Sequence, residues 1–233
     1  MKPVRIDMID DLYVIRDDLL PGGTKRRALT PLLADLYAQG WSEFVYGGPA
    51  EGYAQLALAY SAKDVSTTAA YFVAKRKQRH PNTNEAAAQG CRIVEVDYGR
   101  LNVVQARVRT YCEMTGAYFF PLGFDTPEFA RLMMQEVATA CEGIAPSETW
   151  AVAGSGLMTR CLQAALPAIP HNAVRIGMPP DSGAARLFDA PEQFKDEAEQ
   201  PPPFPSCTNY DAKAWRFIRQ HARPGALFWN VGR

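Results

Sequence analysis

Apolar residues along this chain fall into short blocks that switch between two spacings. Leu29, Leu32, Leu33 and Leu36 share one face at helical spacing, between the turn signal Pro21-Gly22-Gly23 and Gly40. That pattern predicts a helix from Thr24 to about Gln39. Ahead of it, Val4, Ile6 and Met8, then Leu12 to Ile15, read as short extended runs. After it, Phe44-Val45-Tyr46 predicts a strand closed by Gly47-Gly48, and Tyr53 to Ala62 an Ala/Leu helix. Ala69 to Ala74 is a buried strand, Asn84 to Gln89 a helix, Arg92 to Val96 a strand and Leu101 to Met114 a long helix. The alternation then repeats. A strand at Ala117 to Gly123 precedes a helix from Thr126 to Cys141, with Thr126 as N-cap and Pro127 at its first position. A strand at Thr149 to Ala153 leads through Gly154-Ser155-Gly156 into a helix from Leu157 to Leu166, followed by a strand at Ala173 to Gly177. Gly183 to Pro205 lacks a period and reads as a loop with an extended proline-rich end. A helix from Ala212 to His221 and a strand from Ala226 to Val231 complete the pattern. Strands that are apolar throughout, separated by helices, predict an α/β fold with parallel sheets covered on both faces.

Composition narrows the classes without choosing one. The 233 residues carry zero formal net charge and are 47% hydrophobic, enough for one large core or two smaller lobes. Neutrality removes any global argument for nucleic acid or membrane, while leaving room for a local patch. No run reaches membrane-spanning length, and Met1 to Asp7 has no signal-peptide core. Five scattered cysteines without a C-x-x-C pair read as reduced, buried thiols of a cytoplasmic protein. His80, His171 and His221 lack metal-ligand spacing, so no metal is expected.

Three stretches carry candidate chemistry. Lys25 falls in the first turn of a helix, where backbone dipoles disfavour an ammonium. Gly154, Ser155, Gly156, Leu157, Met158 and Thr159 form a strand–turn–helix junction, which offers backbone N–H groups to a phosphate and equally serves close packing. Asp211 precedes a helix, where it is either a cap or a carboxylate partner for a bound group, and Tyr210 beside it either packs or faces a substrate. A fourth stretch is basic: Lys75, Arg76, Lys77 and Arg79, with His80, follow a strand. They therefore lie at the carboxyl end of the sheet, where ligands of α/β proteins bind. Such a patch is either solvated surface or a set of contacts to the phosphates of a nucleic acid or a nucleotide.

In this order the stretches resemble pyridoxal-phosphate (PLP) enzymes of the tryptophan-synthase-β fold, fold type II. The nearest branch is that of aminocyclopropane-carboxylate deaminase and D-cysteine desulfhydrase. Asp17-Asp18-Leu19-Leu20-Pro21-Gly22-Gly23-Thr24-Lys25 is similar to the family's "DD-L-x-x-G-G-N-K", and 154–159 to its "GSGGT" cup. Asn209 to Trp215 resembles "V-Y-E-G-K-A-M", and Leu227 to Arg233 resembles "L-F-x-H-x-G-G". The resemblance implies two open parallel-sheet lobes with PLP between them: 1–42 with 117–233 as the larger, 43–116 as the smaller. It also implies that Lys25 is the Schiff-base lysine and that residues 154–159 hold the phosphate. Asp211 would then meet the pyridine nitrogen, and Tyr210 would stand over the substrate. A homodimer is expected, in the cytoplasm.

Two departures shape the expected function. Where the family has a serine and an asparagine that hold the substrate carboxylate, this chain has Glu51 and Gly52, followed by Tyr53. An ionised Glu51 repels a carboxylate at short range unless a basic residue intervenes; its other reading is a solvent-facing helix cap. The chain is also shorter than the family's members, chiefly between the phosphate-cup helix and Tyr210, which implies a more open cofactor face. The resulting expectation is a lyase breaking a bond at Cα of an amino-acid group, with Lys25, Tyr210 and Glu51 catalytic. Decarboxylation would follow from repulsion by Glu51, and deamination or desulfhydration from the near family. Openness and the basic patch extend the expected substrates to an amino acid joined to thymine in phage DNA, which places the enzyme in the host cytoplasm. The alternatives are a lyase acting on a free amino acid and a non-catalytic binding protein of the same fold.

Overall fold

The computed structural model describes residues 3–97, 99–177 and 179–233. It divides into two compact units, Met1–Gly23 with Ala130–Arg233, and Thr24–Phe129. The first opens with a hairpin, β1 (Ile6–Ile9) and β2 (Leu12–Arg16), paired antiparallel with Ile9 opposite Leu12. Asp10 and Asp11 form its turn, both at positive φ (47° and 61°), as a tight two-residue hairpin turn requires. This hairpin departs from the expected parallel arrangement. A 3-10 turn at Asp17–Leu19 then leads toward Lys25.

The second unit is continuous in sequence. It comprises α1 (Lys25–Ala38), β3 (Glu43–Gly47), α2 (Ala54–Val65), β4 (Thr68–Ala74), α3 (Pro81–Ala88), β5 (Arg92–Val96), α4 (Leu101–Thr115) and β6 (Tyr118–Phe119). Its parallel sheet runs β5-β4-β3-β6. Val45, Ala70, Phe72, Val104 and Val108 form a core beneath α4. Gly47 lets that helix close on β3, since a Cβ there would stand 2.7 Å from Val108. On the other face α1 packs on α2, burying Leu29 and Leu33 fully. Each such leucine stabilises the unit by about 1.5–3 kcal/mol. Two expected bounds move. Helix α3 starts at Pro81 rather than Asn84, because His80 caps it through Nδ1, which accepts from Asn82 N at 3.2 Å. The strand expected at 117–123 is paired only over Tyr118–Phe119.

Helix α5 (Pro127–Ala140) carries the boundary between units, and Thr126 caps it as expected, accepting from Phe129 N at 3.2 Å. The first unit resumes with β7 (Thr149–Ala153), α6 (Leu157–Ala165), β8 (His171–Arg175), β9 (Arg186–Asp189), a 3-10 turn at Asp211–Ala214, α7 (Trp215–His221) and β10 (Leu227–Asn230). Its sheet runs β1-β2-β10-β7-β8-β9, parallel except for β1. One face buries Val14, Trp150, Val174 and Phe228, the other Ile15, Ala151, Leu162 and Trp229. Strand β9 lies inside the stretch expected to be loop, where its burial at the sheet edge is too slight to leave an apolar signature. The helix expected from Ala212 begins as the 3-10 turn.

The units divide differently from the expected lobes. Helix α1 goes with the four-stranded unit because its leucines pack on α2, and residues 117–129 stay there because β6 pairs with β3. Among the described residues no helix is long and apolar enough to cross a membrane.

Candidate functional site

In the six-stranded unit, β7 is buried along its whole length and delivers the chain into Gly154-Ser155-Gly156. Gly156 takes φ +86°, a conformation that favours glycine, and α6 starts at the next residue. The first N–H groups of a helix have no intrahelical partner, and the dipole there favours an anion. Leu157 is buried and Met158 packs on the core, so these two offer backbone only. Ser155 Oγ accepts a long bond from Leu157 N at 3.5 Å. Thr159 is 1% exposed, and its hydroxyl has no hydrogen-bond partner. A buried hydroxyl left so is costly, and a phosphate oxygen would satisfy it.

Tyr210 joins this turn to the acid beside it. Its hydroxyl accepts from Gly154 N at 2.8 Å and donates to Val152 O at 3.3 Å, which pins the end of β7. The phenol therefore holds the turn. Asp211 is fully buried, and Oδ2 accepts from Val231 N at 3.1 Å. It does not cap the following turn, whose N-cap is Tyr210 with no side-chain bond. One residue earlier, Asn230 Nδ2 donates to Asp18 Oδ1 at 2.9 Å and to Pro205 O at 3.0 Å. Arg16 forks onto Asp18 at 2.8 and 2.9 Å and also reaches Asp7. Adjacent residues of one strand end thus hold Asp18, upstream of Lys25, and Asp211.

Sequence reasoning missed Arg16, Asn230 and the buried Lys213. Arg16 stands two residues from Asp18, and Lys213 interrupts an Ala-x-Ala-Trp run, which were the available signals. Lys213 Nζ donates to Gln193 O at 2.7 Å, strapping the stretch before it onto the 3-10 turn. Burial pushes its pKa down from the ordinary lysine value.

In the four-stranded unit, Lys25 is the first residue of α1, with Thr24 as N-cap. Glu51 neither caps α2, whose N-cap is Tyr53 without a side-chain bond, nor faces solvent alone. Its carboxylate forks with Arg76, Oε1 to Nη1 at 2.7 Å and Oε2 to Nη2 at 3.0 Å. Burial opposes ionisation of Glu51, but the Arg76 bonds prevail and hold its pKa below the ordinary value. Gly52 closes the turn, donating to Pro49 O at 2.9 Å, and Gln55 Nε2 donates to the Ala50 and Gly52 carbonyls. Asn82 Nδ2 donates to Glu51 O at 3.0 Å, tying this loop to the start of α3. The basic residues lie where expected, between β4 and α3, but they are paired. Lys75 meets Asp97 at 3.1 Å and Arg79 meets Glu95 at 2.9 Å. Lys77 is exposed. With three of these cations matched to carboxylates, the patch offers little net charge to a phosphate backbone. Among the described residues no group of three or more His, Cys, Asp or Glu side chains could hold a metal.

No protein-family model and no curated protein matches the chain by sequence. Solved structures do match by shape. An aminocyclopropane-carboxylate (ACC) deaminase homologue superposes with TM-score 0.87 at 15% identity, covering 100% of this chain and 90% of that one. Diaminopropionate ammonia lyase from Escherichia coli, in complex with an aminoacrylate–PLP azomethine, gives 0.69 at 11% identity, covering 100% and 84%. Threonine deaminase isoform 2 from Solanum lycopersicum gives 0.76 at 10%, covering 98% and 83%. The architecture is therefore the one these enzymes share, the fold type II arrangement that the ordered motifs resemble.

Proposed function

We propose that this chain is a PLP-dependent lyase of the deaminase type, acting on an amino acid that keeps its carboxylate. The observation that carries the reading lies in one unit. A glycine turn at a helix start, with a buried unsatisfied threonine hydroxyl, is joined through Tyr210 to a fully buried carboxylate. Those residues fit a phosphate at one end and a protonated ring nitrogen at the other. When bound, PLP supplies a sink for the electron pair left at substrate Cα.

Lys25 Nζ anchors the cofactor and holds or returns the proton at substrate Cα. The amides at the start of α6 and the Thr159 hydroxyl bind phosphate. Asp211 keeps the ring nitrogen protonated, because a carboxylate favours the charged form. Tyr210 positions the turn rather than carrying a proton. Arg76, oriented by Glu51, receives the substrate carboxylate. This pairing favours elimination or deamination over decarboxylation, since Glu51, ionised but matched by Arg76, repels that group less. The paired state of the basic loop likewise favours a free amino acid over a DNA-linked one.

The test is to load purified protein with PLP and look for an absorbance band that borohydride abolishes. Ammonia, 2-oxo acid and carbon dioxide are then measured over a panel of amino acids. Release of ammonia with 2-oxo acid supports the reading. Carbon dioxide as the product overturns the reaction type, and absence of PLP binding overturns the whole.

A further inference from the structure

Residues 181–184 lie against the first turns of α6. A Cβ at Gly156 would stand 1.9 Å from the carbonyl oxygen of Asp181 and 3.0 Å from Ser182 N, so the 181–182 peptide lies against the glycine turn itself. Two side chains, Gln163 and Arg160, keep it there. Gln163 Nε2 donates to Ser182 O at 2.7 Å and to Thr159 O at 3.3 Å, while Gln163 Oε1 accepts from Ala184 N at 2.9 Å. Arg160 Nη1 donates to Asp181 O at 2.6 Å and pairs with its carboxylate at 3.3 Å. Gly156, Thr159 and Gln163 are spaced three and four apart, so they share one face of α6 beneath this segment.

Ser182 is 4% exposed and its hydroxyl has no hydrogen-bond partner; the same is true of Thr159, whose carbonyl accepts from the Gln163 amide that also reaches Ser182 O. Folded proteins rarely leave buried hydroxyls so, unless a ligand or a water completes them. We propose that Ser182 is a second hydroxyl donor to the phosphate held at the start of α6, so that the segment after β8 forms one wall of the cup. The inference rests on the functional reading above and adds a residue outside the glycine motif. A phosphate monoester suits the arrangement. It carries negative charge for the helix N-terminus and three acceptor oxygens, which amides and two hydroxyls can share. Arg160 is committed to Asp181, so hydroxyls and amides, rather than a guanidinium, make the contacts.

The experiment compares wild type with Ser182→Ala, Ser182→Thr and Thr159→Val. Thermal melts of cofactor-free protein are paired with titrations of PLP and of inorganic phosphate, the latter followed by phosphorus NMR. Ser182→Ala should weaken both ligands about tenfold, the scale of one hydrogen bond to a charged group. Its cofactor-free melting temperature should stay level or rise, because an unsatisfied buried hydroxyl has been removed. Ser182→Thr should retain most of the affinity, and Thr159→Val should repeat the loss. Wild-type affinity for PLP and phosphate in Ser182→Ala would overturn the inference while leaving the functional reading intact. Phosphate binding that depends on Ser182, without PLP binding, would uphold the inference and overturn that reading. A wild type that binds neither overturns both.

Discussion

In the six-stranded unit Tyr210, half-buried, and Asp211, fully buried, bond to backbone; in the four-stranded unit Glu51 and Arg76 lie nearer the surface and bond to one another as ions. Tyr210 and Asp211 each meet main-chain N–H groups at fixed points, at Gly154 and Val231. Glu51 and Arg76 instead meet as side chains, with Arg76 41% exposed. Bonds to strand-end backbone cannot adjust without moving the strand, which suits a group that must be gripped in one pose. An ion pair at the surface is worth little by itself, about 0–1 kcal/mol, and exchanges partners readily. Under the proposed function the first group would hold the cofactor and the second would read the substrate, so substitutions in each should fail in different ways.

The largest effect is expected at Lys25. Lys25→Ala should remove the borohydride-fixed PLP adduct, detected by peptide mass spectrometry, and lower turnover by about 10²–10⁴-fold from proton transfer alone. An adduct at another lysine would move the centre elsewhere. Asp211→Asn comes next. The amide can still accept from Val231 N, so the fold and the bound cofactor should persist. Turnover should fall by about 10- to 1,000-fold, the size of a one-to-three-unit change at the ring nitrogen. Undiminished turnover would leave Asp211 as a strand tether only.

On the reading side, Arg76→Ala should raise KM for an amino acid more than it lowers kcat. Glu51→Gln should do less, since it removes only the partner that orients Arg76. The pair also sets a pH dependence. Glu51 has a lowered pKa, so its contribution to stability is full above the ordinary carboxylate value and disappears as pH falls through the lowered one. Arg76→Ala should shift that acid loss to higher pH, by no more than about 1 kcal/mol in stability, read from melts between pH 3 and 7, a range chosen around the ordinary carboxylate value of roughly 4. The smallest effect belongs to Lys75 and Arg79, already paired with Asp97 and Glu95. Replacing both with alanine should leave turnover of a free amino acid unchanged at every salt concentration. If the substrate were DNA-linked, the same change would reduce the log–log salt slope by about 0.7–0.9 per lost contact.

Most of the elements were legible because parallel strands buried on both faces leave continuous apolar runs. The strand at 149–153, buried throughout, coincides with the observed one; the strand at 92–96 also coincides, although only Val96 in it is buried. The misses have physical causes. Asp10-Asp11 gives a hairpin without the usual glycine, and β9 is an edge strand with three of its four residues exposed. The strand–glycine turn–helix junction at 149–157 was legible as spacing, and so was the helix start at Lys25. What could not be read was side-chain choice among polar neighbours. Glu51 looked like an isolated negative charge because Arg76 reaches it from another loop, twenty-five residues away in sequence. Tyr210 was expected over a substrate because nothing in the sequence shows its hydroxyl closing on Gly154 and Val152.

Strand β10 lies between β2 and β7, pairing with Tyr13 to Arg16 on one side and with Thr149 and Trp150 on the other. The hairpin must therefore wait for a strand more than two hundred residues later before it gains its inner neighbour. Partners so far apart in the chain are slow to meet. The four-stranded unit contains all of its own strands and needs nothing from outside its span to complete its sheet. During synthesis it should become protected first, with the glycine turn and Asp211 organised only once β10 has been inserted. Pulsed hydrogen exchange during refolding should show amides of β3 and β4 protected before those of β2 and β7. Simultaneous protection would mean that both sheets close in a single cooperative event.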